Sequence, residues 1–378
     1  MAQAWHEFRE SNDASHDPEE LRRRIAEEGY LFFRKLVNPD LMISLRRDIM
    51  TILQKHGWLV KGTDPLDGIV DIEMRCTEGD AAYSPVYHEV YRLESFHALP
   101  HDAALVSMVE TIINCRTIPV PGNKARIWFP KFKEHTTPTH QDFVHYQGSL
   151  QALTCWTPVG DCPIELGPLA VLPRSHTVKK VLPHHFSLGA GGLIIQVDDE
   201  KKKYPQLDVP WHTTNFEAGD VLFFPALTVH RAFPNVTEDR LRVSLDNRYQ
   251  REGDKIAAHM LTPHLSDMSP LSWEEVYEGW KSDEFKYYWR KQDHSVIKRY
   301  LGYMTRGFAE ATQLARQGDQ RAILALRRVI RMTPDTEDAK TARRVLDEIG
   351  ASEHSNAAVA EQTSQHVAPE ETVVPAAR

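Results

Sequence analysis

Between residues 126 and 250 the apolar residues come in short bursts cut apart by proline and glycine, and this punctuation limits the fold more than any other feature of the chain. The segments "ARIWF", "LQALTCWTPV", "GPLAVLP", "DVLFFPALTVH" and "LRVSLDNRY" read as β-strands joined by loops. Strands spaced in this way predict a β-sandwich or small barrel. The chain is therefore expected to be mainly β with flanking helices.

Those helices announce themselves by their caps. Asp17 can cap a helix with Pro18 in its first turn, Leu21 and Ile25 supply an apolar stripe, and Gly29 ends it. "YLFFRKLV", 30 to 37, reads as a mostly buried strand. Asn38 and Pro39 start a second helix, with Leu41, Leu45, Ile49 and Leu53 expected on one face. Residues 60 to 125 read as mixed and mostly helical. Residues 271 to 300, rich in Trp and Tyr, are expected to form helix covering the β-core.

Toward the end, residues 306 to 349 predict two helices broken at Gly318-Asp319. They resemble one tetratricopeptide-like hairpin, and a single copy cannot build a solenoid. Residues 351 to 378 are Ala, Glu, Ser and Pro rich without an aromatic residue, a composition expected to stay disordered. The resulting division is a main domain over 1–300, a helical appendage over 301–350 and a tail over 351–378.

Several function classes are disfavoured. Net charge is -8 and no long basic run occurs, so nucleic acid is not the expected partner. No apolar stretch approaches the ~18 residues of a membrane span. The start has no apolar signal segment, and the end carries no peroxisomal or prenylation motif. Cys76, Cys115, Cys155 and Cys162 form no Cys-x-x-Cys pair, which argues against structural zinc or a disulfide framework. A cytoplasmic protein acting on a small molecule is expected, with homo-oligomer formation left open.

Chemistry enters at "THQDFVHY", 139 to 146, which holds His140 and Asp142. With 19 His in the chain, about one His-x-Asp arises by chance. The pair gains weight from its surroundings. On a strand, residues i and i+2 share a face, so His140 and Asp142 would offer an imidazole and a carboxylate to one point, with Gln141 facing away. His145 would face away as well. A third ligand is available at His230, where an apolar run that follows the Gly219-Asp220 turn ends. Two histidines and one carboxylate leave open positions on a metal, an arrangement suited to non-haem Fe(II) oxygen chemistry. Just downstream, Arg240, Arg242 and Ser244 share a face of "DRLRVSLDNRY". A buried arginine requires an anion. A dicarboxylate that chelates iron and reaches such an arginine meets both needs, and 2-oxoglutarate is one.

In these residues the chain resembles the phytanoyl-CoA dioxygenase (PhyH) family. The resemblance lies in "HQD" at 140 to 142, "ELGPLAVLPRSH" at 165 to 176, "GDVLFF" at 219 to 224 and "HRAFPNVTEDRLRVSLDNRY" at 230 to 249. It implies a double-stranded β-helix, the jelly roll of cupin-like proteins, and an Fe(II)- and 2-oxoglutarate-dependent dioxygenase. It also implies His140, Asp142 and His230 as metal ligands, and Arg240 or Arg242, with Ser244, as the 2-oxoglutarate anchor. Trp156 would be the aromatic wall beside the cosubstrate. The implied reaction oxidises a small organic molecule, most simply by hydroxylation, with O2 consumed and succinate and CO2 released.

Plainer readings stand beside these. Trp156 is also a candidate core residue, Arg248 a candidate partner of Asp246 or Glu238, and His184 and His185 follow a proline and are expected to be exposed. Two alternative functions remain. One is a cupin-like binding protein without turnover. The other is a related halogenase, which the intact Asp142 disfavours because such enzymes open a halide position by losing that carboxylate.

Overall fold

The computed structural model of the protein describes residues 5 to 351. Its strands are β1 (Trp5–Glu7), β2 (Leu31–Phe33), β3 (Thr117–Pro119), β4 (Lys124–Trp128), β5 (His140–Gln141), β6 (Leu153–Pro158) and β7 (Leu169–Val171). They continue with β8 (His185–Phe186), β9 (Leu193–Ile194), β10 (Trp211–Thr213), β11 (Val221–Pro225), β12 (Val229–Ala232) and β13 (Arg242–Arg251). One sheet runs β1-β10-β7-β12-β5, the other β2-β11-β6-β13-β3 with β4 also paired to β13.

Strand periodicity sorts the side chains into layers. Phe32, Trp156, Leu222 and Phe224 of the larger sheet meet Leu169 and Val171 of the smaller one, and this apolar seam joins the two inner faces. The alternate residues Leu31, Phe33, Cys155, Phe223, Val243 and Leu245 point outward into the largest apolar cluster. That cluster is closed by helices α1 (Pro18–Glu28), α2 (Pro39–Lys55), α3 (Tyr83–Tyr91), α4 (Glu94–Ala98) and α5 (Ala103–Ile113). The jelly-roll core with helices outside is thus as expected.

Local chemistry explains the boundaries. Asp17 accepts the Glu20 amide at 3.0 Å, and Gly29 takes φ +80° at the end of α1. A side-chain cap of this kind contributes about 1 kcal/mol. In the "GDVLFF" motif, Gly219 lies against the backbone of Val37, where a Cβ would come within 2.4 Å of the carbonyl. The buried Asp220 accepts the amides of Lys35 and Glu217 and pairs with Arg34 at 2.7 Å. The motif therefore locks the turn before β11 onto the end of β2.

Three expectations need correction. The buried face of α2 starts at Met42, whereas Leu41 is exposed. The 271 to 300 region is mostly irregular, with one short helix (Trp273–Val276), a 3-10 turn (Tyr288–Lys291) and a strand (Ser295–Ile297). Positive φ at Gly279 and Tyr287 interrupts helix there, although Trp273, Tyr277 and Trp289 do pack on the core. The C-terminal region forms three helices rather than two: Gly302–Arg316, Gln320–Met332 and Glu337–Glu348. Pro334 ends the second by disfavouring helical geometry at Thr333, and Thr336 caps the third.

The chain divides into two compact units at Gly307. In the second, Ala322, Ile323, Leu326, Ala339, Ala342 and Val345 are buried. The disorder expected for 351–378 concerns residues that, Ala351 apart, lie outside the described ones. Among the described residues no helix is long and apolar enough to cross a membrane.

Candidate metal centre

β5 and β12 pair antiparallel in a register that sets His140 directly across from His230. Their rings lie 4.2 Å apart. Asp142 completes the group, its Oδ1 3.6 Å from His140 Nε2 and 3.9 Å from His230 Nε2. One ligand atom from each residue falls within 4.8 Å of the others, and all three side chains are buried.

His140 and Asp142 do not share one face of a strand. β5 stops at Gln141, and Asp142 has helical backbone angles at the start of the short helix α6 (Phe143–Tyr146). The two side chains converge because the chain turns from strand to helix between them. The same turn corrects His145, which does not face away: its half-buried ring lies 5.2 Å from that of His140. Burial and the neighbouring His140 hold its imidazole well below the usual histidine range.

The hydrogen bonds leave the triad able to hold a metal. Nδ1 of His140 donates to the Pro138 carbonyl at 2.8 Å, and Nδ1 of His230 to that of Thr228 at 2.9 Å. A proton fixed on Nδ1 leaves the Nε2 lone pair free, and both Nε2 atoms face Asp142. Burial, with His140 beside it, pulls the His230 pKa down to about 3, so its imidazole is neutral. Burial alone would raise the Asp142 carboxyl, but Arg248 and the two histidines outweigh it and hold the group well below its ordinary range. Thr154 donates to Asp142 Oδ2 and Arg248 to Oδ1. Gln141 faces away as expected, its amide clamped by the carbonyls of Lys180 and Leu227 and by the Leu182 amide. His184 is not exposed. Its Nε2 accepts the Gln141 amide at 3.2 Å.

The anchor candidates separate. Arg240 is exposed and bonded to the Asp67 carbonyl, so it is outside the inner face. Arg242 is buried on that face, with Nη1 2.8 Å from the Ser244 hydroxyl. Burial draws its guanidinium down to about 10, an electrostatic demand that a carboxylate would relieve. A small pocket lined by Arg242, Trp128, Phe132 and Asn235 lies beside it. Trp156 is buried in the seam between the sheets, its ring 4.8 Å from Phe216. It shares the inner face with Thr154, the partner of Asp142.

Arg248 does not pair with Asp246 or Glu238; it is the partner of Asp142. The sequence reading also missed Arg126, which joins Glu78 at 2.7 Å and Asp246 at 3.1 Å. Counting by two from Arg242 along β13 reaches Asp246 and Arg248, so the inward face was the available signal.

A double-stranded β-helix with two histidines and a carboxylate converging between its sheets defines an iron- and 2-oxoglutarate-dependent oxygenase. The chain belongs to the phytanoyl-CoA dioxygenase (PhyH) family, whose profile matches residues 25–243. The 1-deoxypentalenic acid 11-beta-hydroxylase of Streptomyces arenae is 22% identical over 278 residues, 70% of this chain and 92% of that protein. The Streptomyces exfoliatus enzyme of the same name is 23% identical over 262 residues, 65% of this chain and 86% of its own. Among solved structures, the epimerase SnoN, in complex with Fe3+, alpha ketoglutarate and nogalamycin RO, covers 64% of this chain and 86% of its own at 20% identity and a TM-score of 0.45. EctD from S. alaskensis with bound Fe covers 66% and 82% at 19% identity and a TM-score of 0.41.

Proposed function

We propose that this oxygenase hydroxylates a small organic molecule, with His140, Asp142 and His230 holding Fe(II) and Arg242 with Ser244 anchoring 2-oxoglutarate. One observation carries the ligand assignment. Both histidines have Nδ1 committed to backbone carbonyls while both Nε2 atoms face one ionised carboxylate oxygen. A structural histidine pair has no need of that geometry.

Iron bound there supplies O2 activation coupled to oxidative decarboxylation of 2-oxoglutarate. The chain's own residues do the rest. His140 and His230 would offer Nε2 lone pairs to the metal, and ionised Asp142 would offset its charge. Thr154 and Arg248 fix the orientation of that carboxylate. Arg242 and Ser244 present donors to the far carboxylate of the cosubstrate. Trp156 and Phe224 supply apolar wall, the latter 4.5 Å from the His230 ring, and keep water from the reacting centre.

The relatives that act on 1-deoxypentalenic acid support hydroxylation within specialised metabolism. A location in the cytoplasm fits such a role. Asp142 occupies the position that a halide would need, so hydroxylation is favoured over halogenation. The test screens small metabolites for substrate-dependent succinate formation with Fe(II), under labelled O2 and with chloride present. Labelled oxygen in succinate and in a hydroxylated product is expected. A chlorinated product, or succinate without label, refutes the reading, and iron binding without turnover across the screen favours the non-catalytic alternative.

A further inference from the structure

Lys124 stands out on the inner face. β4 pairs with β13 so that Lys124 lies across from Asp246, Arg126 from Ser244 and Trp128 from Arg242. Residues directly opposite share a face, and Asp246 is in turn opposite the inward Trp156. Lys124 therefore points into the space between the sheets, where it is largely withdrawn from solvent.

Every other cation on this face has a bonding partner. Arg126 pairs with Glu78 and Asp246, Arg248 with Asp142, and Arg242 bonds Ser244. Lys124 has no hydrogen bond or ion pair among the described residues. Its charge is felt by Asp142 and Arg248 and by the imidazoles of His145, His259 and His264, in keeping with its inward register on β4. Burial, followed by Arg248 and Arg126, draws its pKa down to about 7, the mark of an ammonium short of a counter-charge.

The charge balance gives the same answer. Lys124, Arg126, Arg242 and Arg248 outnumber Glu78, Asp142 and Asp246 by one. A divalent metal and a dicarboxylate together add no net charge, so the excess persists in the loaded site. A withdrawn lysine without a partner gives up its proton readily, and a ligand carboxylate would hold it as the ammonium.

Building on the metal and cosubstrate assignment, we infer that Lys124 is a specificity-determining residue that binds a carboxylate of the substrate, so that the enzyme takes a small organic acid. The carboxylate docks on the ammonium and directs a carbon elsewhere in the same molecule toward the metal. The cosubstrate keeps Arg242 and does not compete for Lys124.

The experiment uses the full chain loaded anaerobically with Fe(II) and saturating 2-oxoglutarate. Octanoate, cyclohexanecarboxylate and 1-naphthoate are each titrated against their methyl esters by calorimetry, in wild type, Lys124→Met and Lys124→Arg. At least one acid is expected to bind about tenfold or more tightly than its ester in wild type, the scale of a charge-assisted hydrogen bond. Lys124→Arg keeps that preference and Lys124→Met removes it. Lys124→Gln replaces Lys124→Met if the latter loses iron. The inference is overturned if no acid is preferred over its ester or if the preference survives in the uncharged variant. Iron and 2-oxoglutarate stoichiometry in the same preparations separates the two readings. Wild type that binds both but shows no acid preference refutes the role of Lys124 alone. Wild type that binds neither refutes the metal-site assignment and this inference with it.

Discussion

Arg248 donates from Nη2 to Oδ1 of Asp142 at 2.8 Å, on the same carboxylate oxygen that faces the two histidine rings. Both side chains are buried, and Nε and Nη1 of Arg248 have no hydrogen-bond partner. Burial pushes the carboxyl up, and the guanidinium, with the two histidines, outweighs that and holds it well below its ordinary range.

Arg248→Gln is therefore expected to weaken Fe(II) binding by about ten- to a hundredfold, the usual scale for losing an outer partner of a ligand. The deficit should be larger at pH 6 than at pH 8, because losing the guanidinium raises the carboxyl and the metal then competes more with a proton. Iron titrations at both pH values measure this. Tighter binding in the variant would mean that Arg248 chiefly competes with the metal.

His140→Ala, Asp142→Ala and His230→Ala should each lose bound iron and turnover while keeping the wild-type circular dichroism spectrum. Removing one ligand leaves a pair too weak to hold Fe(II). Wild-type iron content in any variant removes that residue from the ligand set.

Arg242→Met should raise the KM for 2-oxoglutarate by about tenfold or more, since a charge-assisted contact is lost. Arg240→Met should leave it within about twofold, because exposed surface changes are nearly neutral. Steady-state kinetics on both variants distinguishes them. The reverse pattern would return the anchor to Arg240.

His97 gives a prediction on acid stability. It is buried among Tyr91, Phe96 and Trp273, donates to the Tyr91 carbonyl at 2.7 Å, and is drawn down to about 4 by burial. A base depressed in the folded state is neutral in both states above about pH 6.5. As the pH falls below that, only the unfolded chain takes up the proton and stability is lost. By pH 5 the loss from His97 alone is ~2 kcal/mol. Urea unfolding at pH 7 and pH 5 should show it. His97→Gln should be less stable at pH 7 yet lose less between the two, and an unchanged slope would show that other groups govern the acid limb.

How much of this was legible in the sequence depended on range. His140, Asp142 and His230 could be found because motif and order name them, although the strand argument was correct only in outcome, as α6 begins at Asp142. Arg242 could be separated from Arg240 only by burial. The pairing of Arg248 with Asp142 and of Arg126 with Glu78 joins segments far apart in the chain. No local pattern states which acid a buried arginine meets. The third C-terminal helix was missed for a different reason: the Thr333-Pro334 break was in view, but helical periodicity continues on both sides of it.

The register that sets His140 across from His230 would also make a metal bound there a mechanical part of the sheet. β5 has two residues and a single strand neighbour, β12, and beyond that ladder it is held by the hydrogen bonds of Gln141 to Lys180, Leu182, His184 and Leu227. An ion bound by both histidines would staple that edge to β12, and its binding free energy would add to the local stability of the segment. Chelation should therefore be felt first as faster amide exchange at Gln141 and its neighbours, well before the helices that close the outer face of the larger sheet loosen.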